Sequence, residues 1–110
     1  MKGFSEARTI EEIDAFIHTH TFAFLFLYQE NCSVCHAVQP QAAKVLKEFP
    51  HIHPLQANVT QLPELAGKFT IFTVPVLLLF VDGKEVMRFA RFVEMEKLHH
   101  QLKRITEAYE

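Results

Sequence analysis

The chain has no tryptophan and only two cysteines in 110 residues. It also has no apolar run long enough to cross a bilayer. The longest, Phe22–Tyr28 and Val74–Val81, fall far short of the roughly 20 residues a spanning helix needs. Net charge is only −2, which excludes strong electrostatic steering towards nucleic acid or anionic lipid. No repeat, low-complexity tract or linker divides the chain, so 1–110 reads as a single domain. Such a chain can bury roughly two-thirds of the surface it exposes when unfolded. The first residues, Met1 to Glu6, lack the apolar core of a signal peptide, and Glu11 and Glu12 follow early. The expected location is therefore cytoplasmic. In that reducing compartment a lone cysteine pair serves catalysis or metal binding more often than it staples a fold.

What is present is aromatic bulk, eleven phenylalanines, and a regular alternation of element types. Thr9 and Glu12 form a capping-box pattern ahead of an apolar stripe at Ile10, Ile13, Phe16 and Ile17. Phe22–Tyr28 is continuously apolar, as suits a central strand buried on both faces. Val34, Val38, Ala42, Val45 and Phe49 then recur at helical spacing, with Pro40 inside the pattern as a kink and Pro50 as the stop. Ile52–Val59 reads as a second core strand, and Thr60 as the cap of a short helix through Leu62, Leu65, Ala66 and Phe69, weakened by Gly67. Val76–Val81 and Lys84–Phe89 flank the hairpin signal Asp82-Gly83. Leu98, Leu102, Ile105 and Tyr109 line one face of a last helix. The order predicts an α/β class with a central mixed sheet flanked by helices.

The two cysteines lie three apart, in Asn31-Cys32-Ser33-Val34-Cys35-His36, at the first strand–helix junction. Two cysteines placed at random in a chain of this length have that spacing about 2% of the time. Together with Thr73-Val74-Pro75 before the next-to-last strand, this arrangement resembles the thioredoxin family over essentially the whole chain, from about Thr9 to Ile105. The resemblance implies a thioredoxin-like fold, a cis-proline at Pro75 beside the cysteines, and a thiol–disulfide oxidoreductase that reduces protein disulfides. It also implies recharging by an external thiol or reductase and no bound cofactor. Pro40 and Asp82-Gly83 match the family's kinked helix and hairpin turn. The match is incomplete. The family's frequent Trp-Cys-Gly-Pro-Cys is replaced by Asn31-Cys32-Ser33-Val34-Cys35. Its buried aspartate aligns with Phe26, the lysine often paired with that acid with Gln56, and a groove glycine approximately with Arg91.

The residues carry their own chemistry beside the resemblance. Positions i and i+3 at a helix start lie about 5–6 Å apart, within disulfide reach. Cys32, at the first helical position, faces unpaired N–H groups and the positive helix end. Both favour its thiolate and mark it as the nucleophile. Cys35, one turn inside, is suited to resolve the mixed disulfide. His36, four residues from Cys32, can lean towards that sulfur and modulate its thiolate; the bland alternative is an exposed helix histidine. Val74 and Pro75 are expected at the substrate-side wall, with Val74 offering backbone groups to an extended segment.

The competing readings are a non-catalytic or redox-regulated binding module on the same fold and, more weakly, a thiol metal binder through Cys32, Cys35 and His36. Cys32–His36 also completes the C-x-x-C-H pattern of haem attachment, which usually requires export. Glu30 is read as a rim charge, and His18, His20, His51 and His53 as solvated histidines with no shared ligand. The expected partners are disulfide-containing proteins, with no nucleic acid, no membrane and a monomeric state.

Overall fold

The computed structural model describes residues 3–109. Five strands, β1 (Ser5–Glu6), β2 (Phe22–Tyr28), β3 (Ile52–Asn58), β4 (Val76–Val81) and β5 (Lys84–Ala90), alternate with helices α1 (Ile10–Thr19), α2 (Ser33–Leu46), α3 (Leu65–Lys68) and α4 (Met95–Ala108). The sheet runs β1-β3-β2-β4-β5. β1, β3 and β2 are parallel, while β4 runs antiparallel to both β2 and β5.

The centre of this sheet follows directly from the sequence. β2 is apolar at all seven positions, and all seven are buried. A strand with no polar side can only sit where both faces are covered. One helix pair is α2 with α4, joined where the His99 ring packs 5.3 Å from Phe49 and its Nε2 meets the Glu48 carboxylate at 3.2 Å. The other is α1 with α3, linked by Lys68 and Asp14 at 2.7 Å. Beneath α2 the Phe4 ring meets Phe24 and Phe26 edge-on, at 6.1 and 5.7 Å. Phe4, Phe22, Phe24 and Phe26 are thus spent on the central strand and its cover.

The ends of the elements show where local chemistry ruled. Thr9 caps α1, its hydroxyl accepting from Glu12 N–H at 3.1 Å. The reciprocal half of the box reaches one residue further back, Glu12 accepting from Arg8 N–H at 3.4 Å. Asp82 and Gly83 both take positive φ, 51° and 83°, the type I′ signature that suits a two-residue hairpin.

The short helix departs from expectation. It spans Leu65–Lys68 without a side-chain cap bond, and Thr60 instead gives its N–H to Asn58 Oδ1 at 2.9 Å. Asn58 can cap its own backbone two residues on, which turns the chain before a helix can begin at Thr60. Gly67 lies within the helix. Thr70 ends it in the left-handed region, φ 56°, with Ile71 N–H closing back on Ala66 C=O at 2.8 Å, a Schellman closure. The two terminal carbonyls are held from across the fold: Arg88 donates to Phe69 O at 2.7 Å and to Thr70 O at 3.1 Å.

Candidate active site

The site lies at the C-terminal end of β2, where the chain leaves the sheet and enters α2. Cys32 is the N-cap of α2, one position before the first helical residue. Its sulfur accepts the Cys35 N–H at 3.0 Å. An N-cap sulfur replaces the usual cap oxygen, satisfying one of the four donors a helix start leaves open. That position is the one at which negative charge on Sγ is most favoured by the helix.

Cys32 and Cys35 are joined as a disulfide with Cα atoms 5.2 Å apart, inside the range the spacing predicted. Their environments differ. Cys35 is fully buried, whereas Cys32 retains 8% of its surface. An incoming sulfur can therefore reach only Cys32. Pro40 sits inside α2 on its exposed side, where it removes the i→i−4 bond that would have ended at His36 C=O.

Across from the cysteines, the peptide Val74–Pro75 is cis and leads into β4. Val74 O lies 3.9 Å from Cys32 Sγ, a contact that a thiol at Cys32 could convert into an S–H···O bond. The Val74 N–H makes no backbone hydrogen bond among the described residues. Residues 42 positions apart are thus brought together. A cleft of about 480 Å³ opens beside them, lined by Gln29, Phe72, Thr73, Val74 and Arg91.

His36 is placed differently from the sequence expectation. Its Nε2 meets Glu30 O at 2.6 Å. Because a carbonyl only accepts, Nε2 carries the proton and donates. The ring therefore braces the turn that delivers Cys32, a turn also closed by Cys32 N–H to Gln29 O at 3.3 Å. The Glu30 side chain is exposed, in keeping with a rim charge.

Three arrangements were invisible in the pattern of residues. First, a polar cluster lies at the β1–β3 edge: Tyr28 OH donates to the Glu6 carboxylate at 2.8 and 2.9 Å, and Gln56 Nε2 donates to the same group at 2.8 Å. Burial first, and the Glu6 carboxylate second, push the Tyr28 phenol well above its usual range. Gln56 Oε1 is buried with no hydrogen-bond partner among the described residues. Second, His20 and His53 stack at 3.9 Å, and desolvation followed by the neighbouring imidazole holds His20 below its ordinary value. Third, Arg91 occupies the cleft wall and donates from Nη1 to Val74 O at 3.0 Å. Among the described residues no group of three or more His, Cys, Asp or Glu could hold a metal ion, and no helix is long and apolar enough to cross a membrane.

Comparison with known proteins agrees with this geometry. Residues 5–104 match the family model described as thioredoxin. Thioredoxin-like protein YdfQ of Bacillus subtilis is 46% identical over 110 residues, covering 100% of this chain and 98% of that protein. Thioredoxin-1 of Saccharomyces cerevisiae is 27% identical over 84 residues, covering 76% and 82%. Among solved structures, thioredoxin from Trypanosoma brucei brucei superposes with a TM-score of 0.85 at 14% identity, covering 94% of this chain and 91% of that one. Oxidised mitochondrial thioredoxin 3 from Saccharomyces cerevisiae gives 0.82 at 18%, covering 91% and 93%. At those identities the structures speak for the fold alone.

Proposed function

The chain belongs to the thioredoxin family and is a thiol–disulfide oxidoreductase, and from that premise we propose how its residues divide the reaction. Cys32 is the nucleophile. Its thiolate attacks one sulfur of a substrate disulfide, forming the Cys32–substrate bond as the substrate S–S bond breaks and one substrate thiolate leaves. Cys35 then loses its proton and attacks Cys32 Sγ. The mixed disulfide breaks, the second substrate thiolate departs and takes up a proton, and Cys32–Cys35 is left as the disulfide. Two electrons have passed from the protein dithiol to the substrate. An external thiol or reductase returns them.

The observation that carries this reading is the asymmetry of the pair. Only Cys32 is open to a substrate, and its sulfur already takes a helix N–H at 3.0 Å. That bond favours the thiolate as the attacking form. Cys35, sealed from solvent, can be reached only by the sulfur next to it. Val74 and Pro75 form the wall against which the substrate disulfide lies, with the Val74 N–H free for strand-like pairing. His36 serves by holding the Glu30 carbonyl and so the approach of Cys32; thiol reactivity measured against pH in His36→Ala tests this, and an unchanged profile removes the role.

The substrates are proposed to be protein disulfides met by a monomer in a reducing cytoplasm, which sets the direction as reduction. A disulfide-reduction turnover assay is the test. Wild type should turn over and Cys32→Ser should not. Equal rates for the two would leave a binding module on the same fold. Cys35→Ala should stall with substrate covalently held on Cys32.

A further inference from the structure

Arg91 stands just beyond β5 in the left-handed region, φ 68°, its N–H tied to Pro75 O at 2.8 Å. This fixes the residue at the mouth of the cleft beside the cysteines. Nη1 donates to Val74 O, and that same oxygen contacts Cys32 Sγ. Laid end to end, the two distances put the guanidinium within about 7 Å of the nucleophilic sulfur, close enough for a partly exposed charge to act. Among the described residues Arg91 makes no ion pair, unlike Arg88, Lys68 and Lys97, whose partners are Glu85, Asp14 and Glu94. A guanidinium offers five donors in a planar fork, and Val74 O takes one. The Phe92 ring lies 5.4 Å from the Arg91 guanidinium carbon and limits its swing. Phe72, 92% exposed, lines the cleft with apolar surface, and Phe92, 76% exposed, stands outside its lining beside Arg91.

We propose that Arg91 is a specificity-determining residue that selects protein disulfides with an aspartate or glutamate next to the reacting half-cystine. The inference deepens the oxidoreductase reading and rests on it. An extended substrate segment pairing with the Val74 N–H runs beside the residue whose C=O holds the guanidinium. A carboxylate on that segment completes the fork with a charge-assisted, bidentate bond. A lysine there meets like charge and an unpaired desolvated head group. The protein segment is favoured over a small anionic disulfide because the Val74 backbone and the exposed Phe72 ring in the cleft wall add recognition along an extended chain.

The test compares kcat/KM for peptide disulfides that differ only in the flanking residue, Asp, Asn or Lys, with oxidised glutathione as a separate arm. At low ionic strength wild type should prefer the Asp peptide over the Asn peptide by about three- to tenfold, falling below about twofold at 0.5 M NaCl. The Asp/Asn ratio should collapse to near one in Arg91→Gly, a substitution the positive φ accommodates. Arg91→Lys should keep part of the preference, and Arg91→Glu should reverse it towards the Lys peptide. Far-UV circular dichroism confirms the fold of each variant. Equal Asp/Asn ratios in wild type and Arg91→Gly overturn the proposal while leaving the oxidoreductase reading intact. So does a preference confined to oxidised glutathione. Failure of wild type to reduce any of the disulfides sinks both.

Discussion

Replacing Phe26 by alanine probes the one core position where this chain departs most sharply from its family. Phe26 is fully buried in the central strand, with the Phe4 ring edge-on at 5.7 Å and the Tyr28 ring stacked at 6.1 Å. Truncating a buried phenylalanine costs about 3–5 kcal/mol, more where the surroundings cannot close in. Here β3 and β4 hold the strand on both sides, so the expected loss is about 4 kcal/mol. Domains of this size are stable by roughly 5–15 kcal/mol. With a urea slope near 1.5 kcal/mol/M, the midpoint should fall by about 2.5 M. The assay is urea unfolding of the oxidised protein, followed by far-UV circular dichroism because the chain has no tryptophan. A loss below about 1.5 kcal/mol at an unchanged slope would refute the close packing argued for this site. Phe26→Asp, which restores the family's acid, should cost at least as much and acquire a pH dependence. A carboxyl buried among these rings has its pKa raised. Its neutral form stabilises the fold at pH values below the unfolded-state pKa, and that stability is lost as pH rises through the folded-state value.

Other positions give sharper readings of single interactions. Thr9→Ala removes the α1 cap and should cost about 1 kcal/mol in the same titration. Arg88→Ala removes bonds to Glu85 and to the Phe69 and Thr70 carbonyls; it should lower stability by about 1–2 kcal/mol and raise KM for protein disulfides, because the loop it anchors leads to Val74. Glu85 is held below its ordinary value chiefly by the Arg88 hydrogen bond, so its contribution is present above the unfolded carboxylate pKa and lost as pH falls through the folded one. Glu85→Gln should therefore lose less stability than wild type between pH 7 and pH 3. Tyr28, raised by burial and by Glu6, should remain un-ionised in ultraviolet titration well past pH 10, and Tyr28→Phe should cost about 1 kcal/mol.

The elements legible in the sequence were those set by local rules. Phe22–Tyr28 could only be a doubly covered strand, Asp82-Gly83 could make its hairpin unaided, and Thr9 with Glu12 announced a helix start. The cysteine spacing located the reaction because a helical turn fixes the distance between i and i+3. What stayed hidden depends on partners distant in the chain. The Glu6 carboxylate finds Tyr28 and Gln56 only once β1 has paired with β3. Arg88 reaches the end of α3 across 18 and 19 residues. His20 meets His53 only because α1 exits beside the start of β3. Thr60 misled because Asn58, two residues earlier, competed for its backbone N–H. Arg91 was legible as a departure from the family glycine, but its bond to Val74 O requires the fold.

The sealing of Cys35 has a consequence for how the protein ages and how its stability can be read. Oxidants and alkylating agents in solution meet Cys32 alone. A sulfenic acid formed there has Cys35 as an immediate neighbour and closes to the disulfide with loss of water, rather than climbing to irreversible acids. In the reduced protein, Cys35 becomes available to a small alkylating reagent only when the helix and the strand behind it open. For a stability of about 8 kcal/mol that restricts its labelling by a factor on the order of 10⁵–10⁶ relative to a free thiol. The second cysteine is thus a built-in clock for unfolding, counting openings that the first, which keeps 8% of its surface in the folded protein, does not register.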